Sequence, residues 1–153
     1  MSLVKKENKS GRNKIAIVVS KFNDFITKNL LKACRDELHK AGLSEKDIRV
    51  TFVPGAFEIP LMALKSAERK EIGAVICLGA VIKGETLHYE LVAQECARGI
   101  MDVSLQTKKP VIFEVLACDT IKKAQDRAKE KGNNKGRDAA LAALEMLDML
   151  SQS

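Results

Sequence analysis

The sequence predicts an α/β three-layer sandwich with a four-stranded parallel sheet and helices on both faces. Two observations carry that prediction. Four short runs are continuously apolar or rich in β-branched residues, the pattern of strands covered on both sides. Between and after them, apolar residues recur at helical spacing, so strands and helices alternate along the chain. A chain of 153 residues is long enough for one substantial core and short for two.

Each element can be justified in order. IAIVV (15–19) is the first strand, and the polar stretch Ser20-Lys21-Phe22-Asn23-Asp24 follows it. Residues 25–41 set Ile26, Leu30, Leu31, Ala33, Cys34 and Leu38 near 3.6 spacing, with Gly42 as a C-terminal stop. RVTFV (49–53) is the second strand, and after Pro54-Gly55-Ala56-Phe57 a helical pattern covers 58–70. AVICLGA (74–80) is the third strand, and after the polar tip Lys83-Gly84-Glu85 a helix is expected over 87–106, with Thr86 suited to its N-cap. PVIFEVLA (110–117) is the fourth strand. Asp119 or Thr120 can cap a helix running to about Lys131 and closed by Gly132. The last helix, about 137–150, carries Ala140, Leu144 and Leu147 on one face. Right-handed crossovers between parallel strands then favour a flavodoxin-like order.

Composition narrows the function. With no Trp, one Tyr and five Phe, the core must be mainly aliphatic. No apolar run approaches the roughly 20 residues of a membrane span, and no hydrophobic signal core opens the chain, so no membrane partner and a cytoplasmic setting are expected. Cys34, Cys77, Cys96 and Cys118 are far apart with no C-x-x-C pair, which fits buried free thiols rather than a metal or redox centre. The net charge of +6 is spread among acids and lacks an aromatic-basic motif, which argues against nucleic acid. Residues 1–13, mostly polar and basic, are expected to form a flexible arm or to add to a neighbour's sheet; 14–153 form the single domain.

Ligand sites in parallel α/β sheets lie at the carboxyl ends of the strands. Four such ends bring Phe22, Phe57, Glu58 and His88 towards one rim, with Phe113 within the fourth strand. Loop aromatics in an aromatic-poor chain point to a flat ligand held by stacking. Capping of the core by both rings is the other reading, and pattern alone leaves the two open. Gly79 to Thr86 could cradle a small anion, since Glu85 and Thr86 offer N–H groups at a helix start. The stretch matches neither G-x-x-x-x-G-K-[ST] nor G-x-G-x-x-G. His88 falls in the first turn of a helix, where the dipole favours a neutral imidazole able to exchange a proton. His39 reads as an ordinary surface histidine. Arg127 precedes KGNNKG in a basic cluster with Lys131 and Lys135 that suits phosphate.

Four stretches together, KFNDFIT (21–27), VPGAFEIPLMALK (53–65), LGAVIKGETLHYELV (78–92) and PVIFEVL (110–116), followed by QDRA (125–128) and NKG (134–136), resemble the 6,7-dimethyl-8-ribityllumazine synthase family over about residues 14–148. The resemblance implies condensation of 5-amino-6-(D-ribitylamino)uracil with 3,4-dihydroxy-2-butanone 4-phosphate, the penultimate step of riboflavin biosynthesis, with no metal or organic cofactor. It implies that Phe22 stacks on the pyrimidine, that Ala56, Phe57 and Glu58 line the ribityl and ring contacts, and that Ala80, Val81 and Ile82 present backbone groups to the ring edge. Glu85 and Thr86 would hold the phosphate, Arg127 would supply countercharge, and His88 would transfer protons. Phe113 and Arg127 would complete the site of a neighbour in a pentamer.

Lys131, Lys135 and Asp138 fall beside the site by the same resemblance, without an assigned role. The short Gly132–Gly136 connection fits members that close into a 60-subunit shell, and riboflavin synthase is an associated partner the family suggests. The chain departs from the family's usual pattern at Lys83, Tyr89, Glu114, the pair Ala117-Cys118 and the turn KEKGNNKG. The rival reading within the fold is a non-catalytic flavin- or lumazine-binding or shell-forming member. A generic signalling or phosphate-binding module is the rival outside it; receiver-type modules need acids at strand ends, where this chain has Ser20-Lys21.

Overall fold

The computed structural model describes residues 14–153, so the expected arm over 1–13 lies outside the described residues. The strands are β1 (Lys14–Ser20), β2 (Ile48–Val53), β3 (Ile72–Ile82) and β4 (Val111–Cys118). The helices are α1 (Asp24–Lys40), α2 (Ile59–Ala67), α3 (His88–Thr107), α4 (Ile121–Asp126) and α5 (Lys135–Ser151). Single 3-10 turns at Glu45–Asp47 and Ala56–Glu58 lead into β2 and α2. The sheet is parallel throughout, in the order β2-β1-β3-β4, the flavodoxin-like order. No helix among the described residues is long and apolar enough to cross a membrane.

Alternation along the strands divides the core between the two faces of the sheet. Ile15, Ile17 and Val19 of β1, with Ala74, Ile76 and Leu78 of β3, pack with α1 and α5. Ala16 and Val18, with Val75 and Cys77, pack with α2 and α3. β1 and β3 therefore read as unbroken apolar runs, because both of their faces are buried. The edge strand β2 is only partly covered, which is why it tolerates Arg49 and Thr51. All four cysteines are buried and unpaired. His39 joins a surface clasp, its ring nitrogens 2.9 Å from the Leu43 carbonyl and 2.7 Å from Glu45, which Arg35 also holds.

The helix expected to reach Lys131 stops at Asp126, with Arg127 as its C-cap. Only Ala124 and Ala128 supply buried apolar positions there, so little packing rewards a longer helix. Instead the chain turns at Gly132 (φ 98°) and bridges Ala128 to Asn134. Asn134, 1% exposed, accepts from Gly136 N–H at 2.8 Å to cap α5, and its Nδ2 donates to the Lys129 carbonyl at 2.9 Å. Thr120, rather than Asp119, caps α4, accepting from Lys123 N–H at 3.2 Å.

Gly136 sits where α5 crosses α1 at closest approach. A Cβ there would overlap the Leu30 carbonyl oxygen and stand 2.7 Å from its carbon, a backbone obstacle that cannot swing aside. Overpacking costs typically about 1–3 kcal/mol, and a collision with backbone belongs at or above the top of that range. Gly136→Ala is therefore expected to lower the thermal midpoint by several degrees or to prevent folding. A differential melt against the parent chain checks this, and an unchanged midpoint would contradict the packing of α5 on α1.

A candidate ligand cleft at the carboxyl edge of the sheet

β1 and β3 are neighbours, yet β1 sends the chain through α1 to β2 on one side, while β3 sends it through α3 to β4 on the other. The loops leaving the two strands therefore part, and a crevice opens outside their carboxyl ends. The cleft there has a volume of about 860 Å³ and mostly apolar walls. Three strand exits and the first turns of α3 build it.

The first exit contributes Phe22 and Asn23, the second Pro54 to Glu58, and the third Ala80, Val81, Ile82, Gly84 and Thr86. His88, Tyr89, Leu91, Val92 and Glu95 of α3 close the far wall. Phe22 is 71% exposed and Phe57 60%, so neither ring caps the core of this chain. Large apolar rings left in solvent at the mouth of a crevice mark an interaction surface. Backbone bonds fix the loop that carries Phe22: Lys21 N–H donates to the Val53 carbonyl at 2.8 Å, and Phe22 N–H to the Pro54 carbonyl at 3.1 Å. Phe57 and Glu58 stand on the 3-10 turn that enters α2, where Pro60 suits the start of a helix.

The third exit differs in detail from the sequence expectation. Strand β3 runs on to Ile82, two residues beyond the end expected at Ala80. Helix α3 begins at His88, with Leu87 in the N-cap position and no side-chain cap. Thr86 thus lies one residue before the N-cap, and its hydroxyl accepts from the N–H of His88, the first helical residue, at 3.3 Å. The reason is that the chain bends at Glu85 and Thr86 and turns at Leu87 before the helix begins. Among the described residues nothing would touch a Cβ at Gly84, so the space beside it is open to a ligand.

Nine of the sequence-expected residues line this cleft: Phe22, Ala56, Phe57, Glu58, Ala80, Val81, Ile82, Thr86 and His88. Glu85, Phe113, Arg127, Lys131, Lys135 and Asp138 do not. Phe113 lies on β4 at the opposite edge of the sheet from β2. Arg127 ends α4, its Nη1 donating to the Lys123 carbonyl at 2.9 Å. Lys135 and Asp138 pair at 3.5 Å in the first turn of α5. Arg127, Lys135 and Asp138 form a second, charged cluster at the β4 edge, where Lys135 N–H donates to the Arg127 carbonyl at 2.8 Å. Sequence reasoning did not name Asn23, Pro54, Gly55, Tyr89, Leu91, Val92 or Glu95 as wall residues. For Leu91, Val92 and Glu95 the signal was present, since they fall on the His88 face of α3 at helical spacing.

A family model described as 6,7-dimethyl-8-ribityllumazine synthase matches residues 12–151. The match takes in all the strands and helices described, the cleft and the β4-edge cluster.

Within that edge cluster, Glu114 alternates with Phe113 and therefore faces the α5 side of the sheet, among Ile112 and Leu116. Burial pushes its carboxyl up to about 7, with Lys135 opposing the rise and Asp138 adding to it. A carboxyl raised above the ordinary ~4.3 favours the folded state while protonated. That contribution is complete below about pH 4.3 and is lost as pH rises through the folded value near 7. Glu114→Gln should therefore raise the thermal midpoint at pH 8 and change it little at pH 4.5. Melts of both proteins at the two pH values test this, and a pH-independent difference would place the carboxyl in water.

Proposed function

The chain belongs to the 6,7-dimethyl-8-ribityllumazine synthase family, and from that premise we propose that it condenses 5-amino-6-(D-ribitylamino)uracil with 3,4-dihydroxy-2-butanone 4-phosphate. The observation that carries this reading is the convergence of Phe22, Phe57, Glu58 and His88 on one open cleft at the strand-order reversal. Solvent-exposed Phe22 supplies a face for the flat pyrimidine. Ala56, Phe57 and Glu58 receive the ribityl chain, the Glu58 carboxylate accepting from its hydroxyls. The backbone of Ala80, Val81 and Ile82 meets the polar edge of the ring. Glu85 and Thr86 border the phosphate of the second substrate, where the start of α3 favours negative charge.

The reaction asks for little covalent work from the protein. An amine attacks a ketone and loses water to give an imine, phosphate is eliminated, a tautomerisation follows, and ring closure releases the second water. Holding the two partners at reacting distance can supply several of the ~7–11 kcal/mol available from orientation. His88, at the rim and beside Thr86, is placed to carry protons between nitrogen and oxygen during these steps.

Among the described residues no lysine or arginine lines the cleft, so the phosphate would lack a cation there, and the cleft stands open. Phe113 and Arg127 at the β4 edge fit both needs if a second copy presents that edge to the first copy's cleft. Such a contact joins two different surfaces, so it is heterologous and repeats until a ring closes. Exposed Leu91, Met101 and Leu105 on α3 supply apolar surface for it. A pentamer is the ring proposed, and the short connection from Gly132 to Gly136 leaves room for pentamers to close further into a shell.

Mixing both substrates with the protein should produce a fluorescent lumazine; binding of lumazine without its formation would instead favour the non-catalytic reading. His88→Ala should slow turnover by about 10²-fold, as for other proton-transfer groups, in a steady-state assay. Unchanged turnover removes His88 from the chemistry. Arg127→Ala should raise KM for the butanone phosphate by about tenfold or more, the range of a lost charge-assisted hydrogen bond, and leave the pyrimidine nearly unaffected. Equal losses for both substrates would contradict its phosphate role.

A further inference from the structure

Asn23 adopts a conformation that its neighbours do not share. Its backbone is left-handed, with φ 61° and ψ 44°, and Lys108 is the other non-glycine residue with positive φ among the described residues. It occupies the N-cap of α1, yet its side chain makes no capping hydrogen bond. The carboxamide turns away from its own helix instead and donates through Nδ2 to the Ala80 carbonyl at 2.9 Å, across 57 residues of sequence. The residue thus accepts an unfavourable backbone and forgoes a favourable cap, and the bond to β3 is what it makes in exchange.

That bond spans the crevice at its base. Lys21 and Phe22 are already tied to the second exit by their backbone, and Asn23 ties the same loop to the third. Phe22 is thereby held at a fixed separation from the end of β3. In a parallel strand, alternate residues turn both backbone groups to the same neighbour. Lys83 N–H donates to the Cys118 carbonyl of β4 at 2.9 Å, so Ala80 and Ile82 face the β1 side. The last β1 pair on that side is Val19 with Leu78. Asn23 occupies the Ala80 carbonyl, and Ile82, two residues further on, has no β1 partner for its N–H and C=O.

We infer that Asn23 is a positioning residue that sets the gap between the Phe22 ring and the free backbone edge of Ile82, and so selects a planar heterocycle with donors and acceptors on its rim. The inference rests on the reading of the cleft proposed above. It also accounts for the residue type. Glycine would accept the left-handed backbone but offers no donor. Aspartate would accept it too, but as a carboxylate it sets an acceptor against the Ala80 carbonyl.

The test measures binding of 6,7-dimethyl-8-ribityllumazine by fluorescence titration, with no turnover required, in the parent chain, Asn23→Gly and Asn23→Asp. Thermal melts and KM for both substrates accompany it. Asn23→Asp keeps the side-chain size and the tolerance for left-handed backbone, so a folded comparison is available whatever the glycine variant does. Both variants are expected to bind lumazine about tenfold more weakly, the loss of one cross-loop hydrogen bond and of the preorganisation it provides. KM for the pyrimidine should rise with it, and KM for the butanone phosphate should stay within about twofold. Variants that bind lumazine like a parent chain that binds it well overturn the positioning role alone, as do equal losses for both substrates. A parent chain that binds no lumazine overturns the reading of the cleft and this inference with it.

Discussion

Where β1 and β3 lie side by side, the chain leaves the sheet in opposite directions, and that divergence is the constraint on which the rest of the structure depends. Right-handed crossovers put α1, which follows β1, on one face of the sheet and α3, which follows β3, on the other. The two exit loops cannot then pack on each other, and their carboxyl-end backbone is left beside open space. A parallel sheet of four strands has one such reversal when its order is β2-β1-β3-β4. The cleft is consequently a product of topology, and its residues decorate a space that the fold opens in any case. The walls are held firmly because the strands beneath them are buried on both faces, so loops a few residues long stand on an unyielding base.

Much of the fold was legible because burial on both sheet faces leaves a plain mark in sequence. IAIVV and AVICLGA are apolar at almost every position, and β1 and β3 are the two central strands. Gly42, with φ 103°, ends α1 by a route that composition alone reveals. The segment from Arg127 to Asn134 was not legible. Its conformation depends on Asn134 reaching Lys129 and on Gly136 meeting Leu30, and both contacts arise only after α5 has docked on α1. The site was legible to the extent that its residues follow strands directly. Asn23 was passed over because a polar residue between a strand and a helix looks like an ordinary cap, and only coordinates show its side chain turned towards β3.

The grouping of the expected residues into two clusters also has a physical reading. Phe22, Phe57, Glu58 and His88 meet in the cleft, while Phe113, Glu114, Arg127, Lys135 and Asp138 gather at the β4 edge. One chain thus carries an apolar, aromatic half and a charged half on different parts of its surface. An edge strand with free backbone groups and an exposed phenylalanine is a liability in a lone molecule. It becomes useful when a second copy covers it, and a repeated heterologous contact gives every cleft the same cover.

Local sequence preference and global fold agree along most of this chain, so the places where they disagree carry information. Asn23 loses a cap that is commonly worth ~1 kcal/mol and adopts a backbone that disfavours most side chains by a similar amount. Phe22 and Phe57 leave apolar surface in water that a core position would have buried. Glu114 holds a carboxyl half-buried at the strand edge, where an apolar residue would fold more readily. None of these choices helps an isolated subunit to fold. Asn23, Phe22 and Phe57 stand at the cleft and Glu114 at the edge proposed to cover a neighbour's cleft, so the same binding event can offset every one of them. On the proposed reading, a flat ligand filling the cleft would bury the two rings and use the gap assigned to Asn23, and a docked copy would bring Phe113 and its neighbours over it. Stability is surrendered along the surfaces where a ligand and a second chain would restore it.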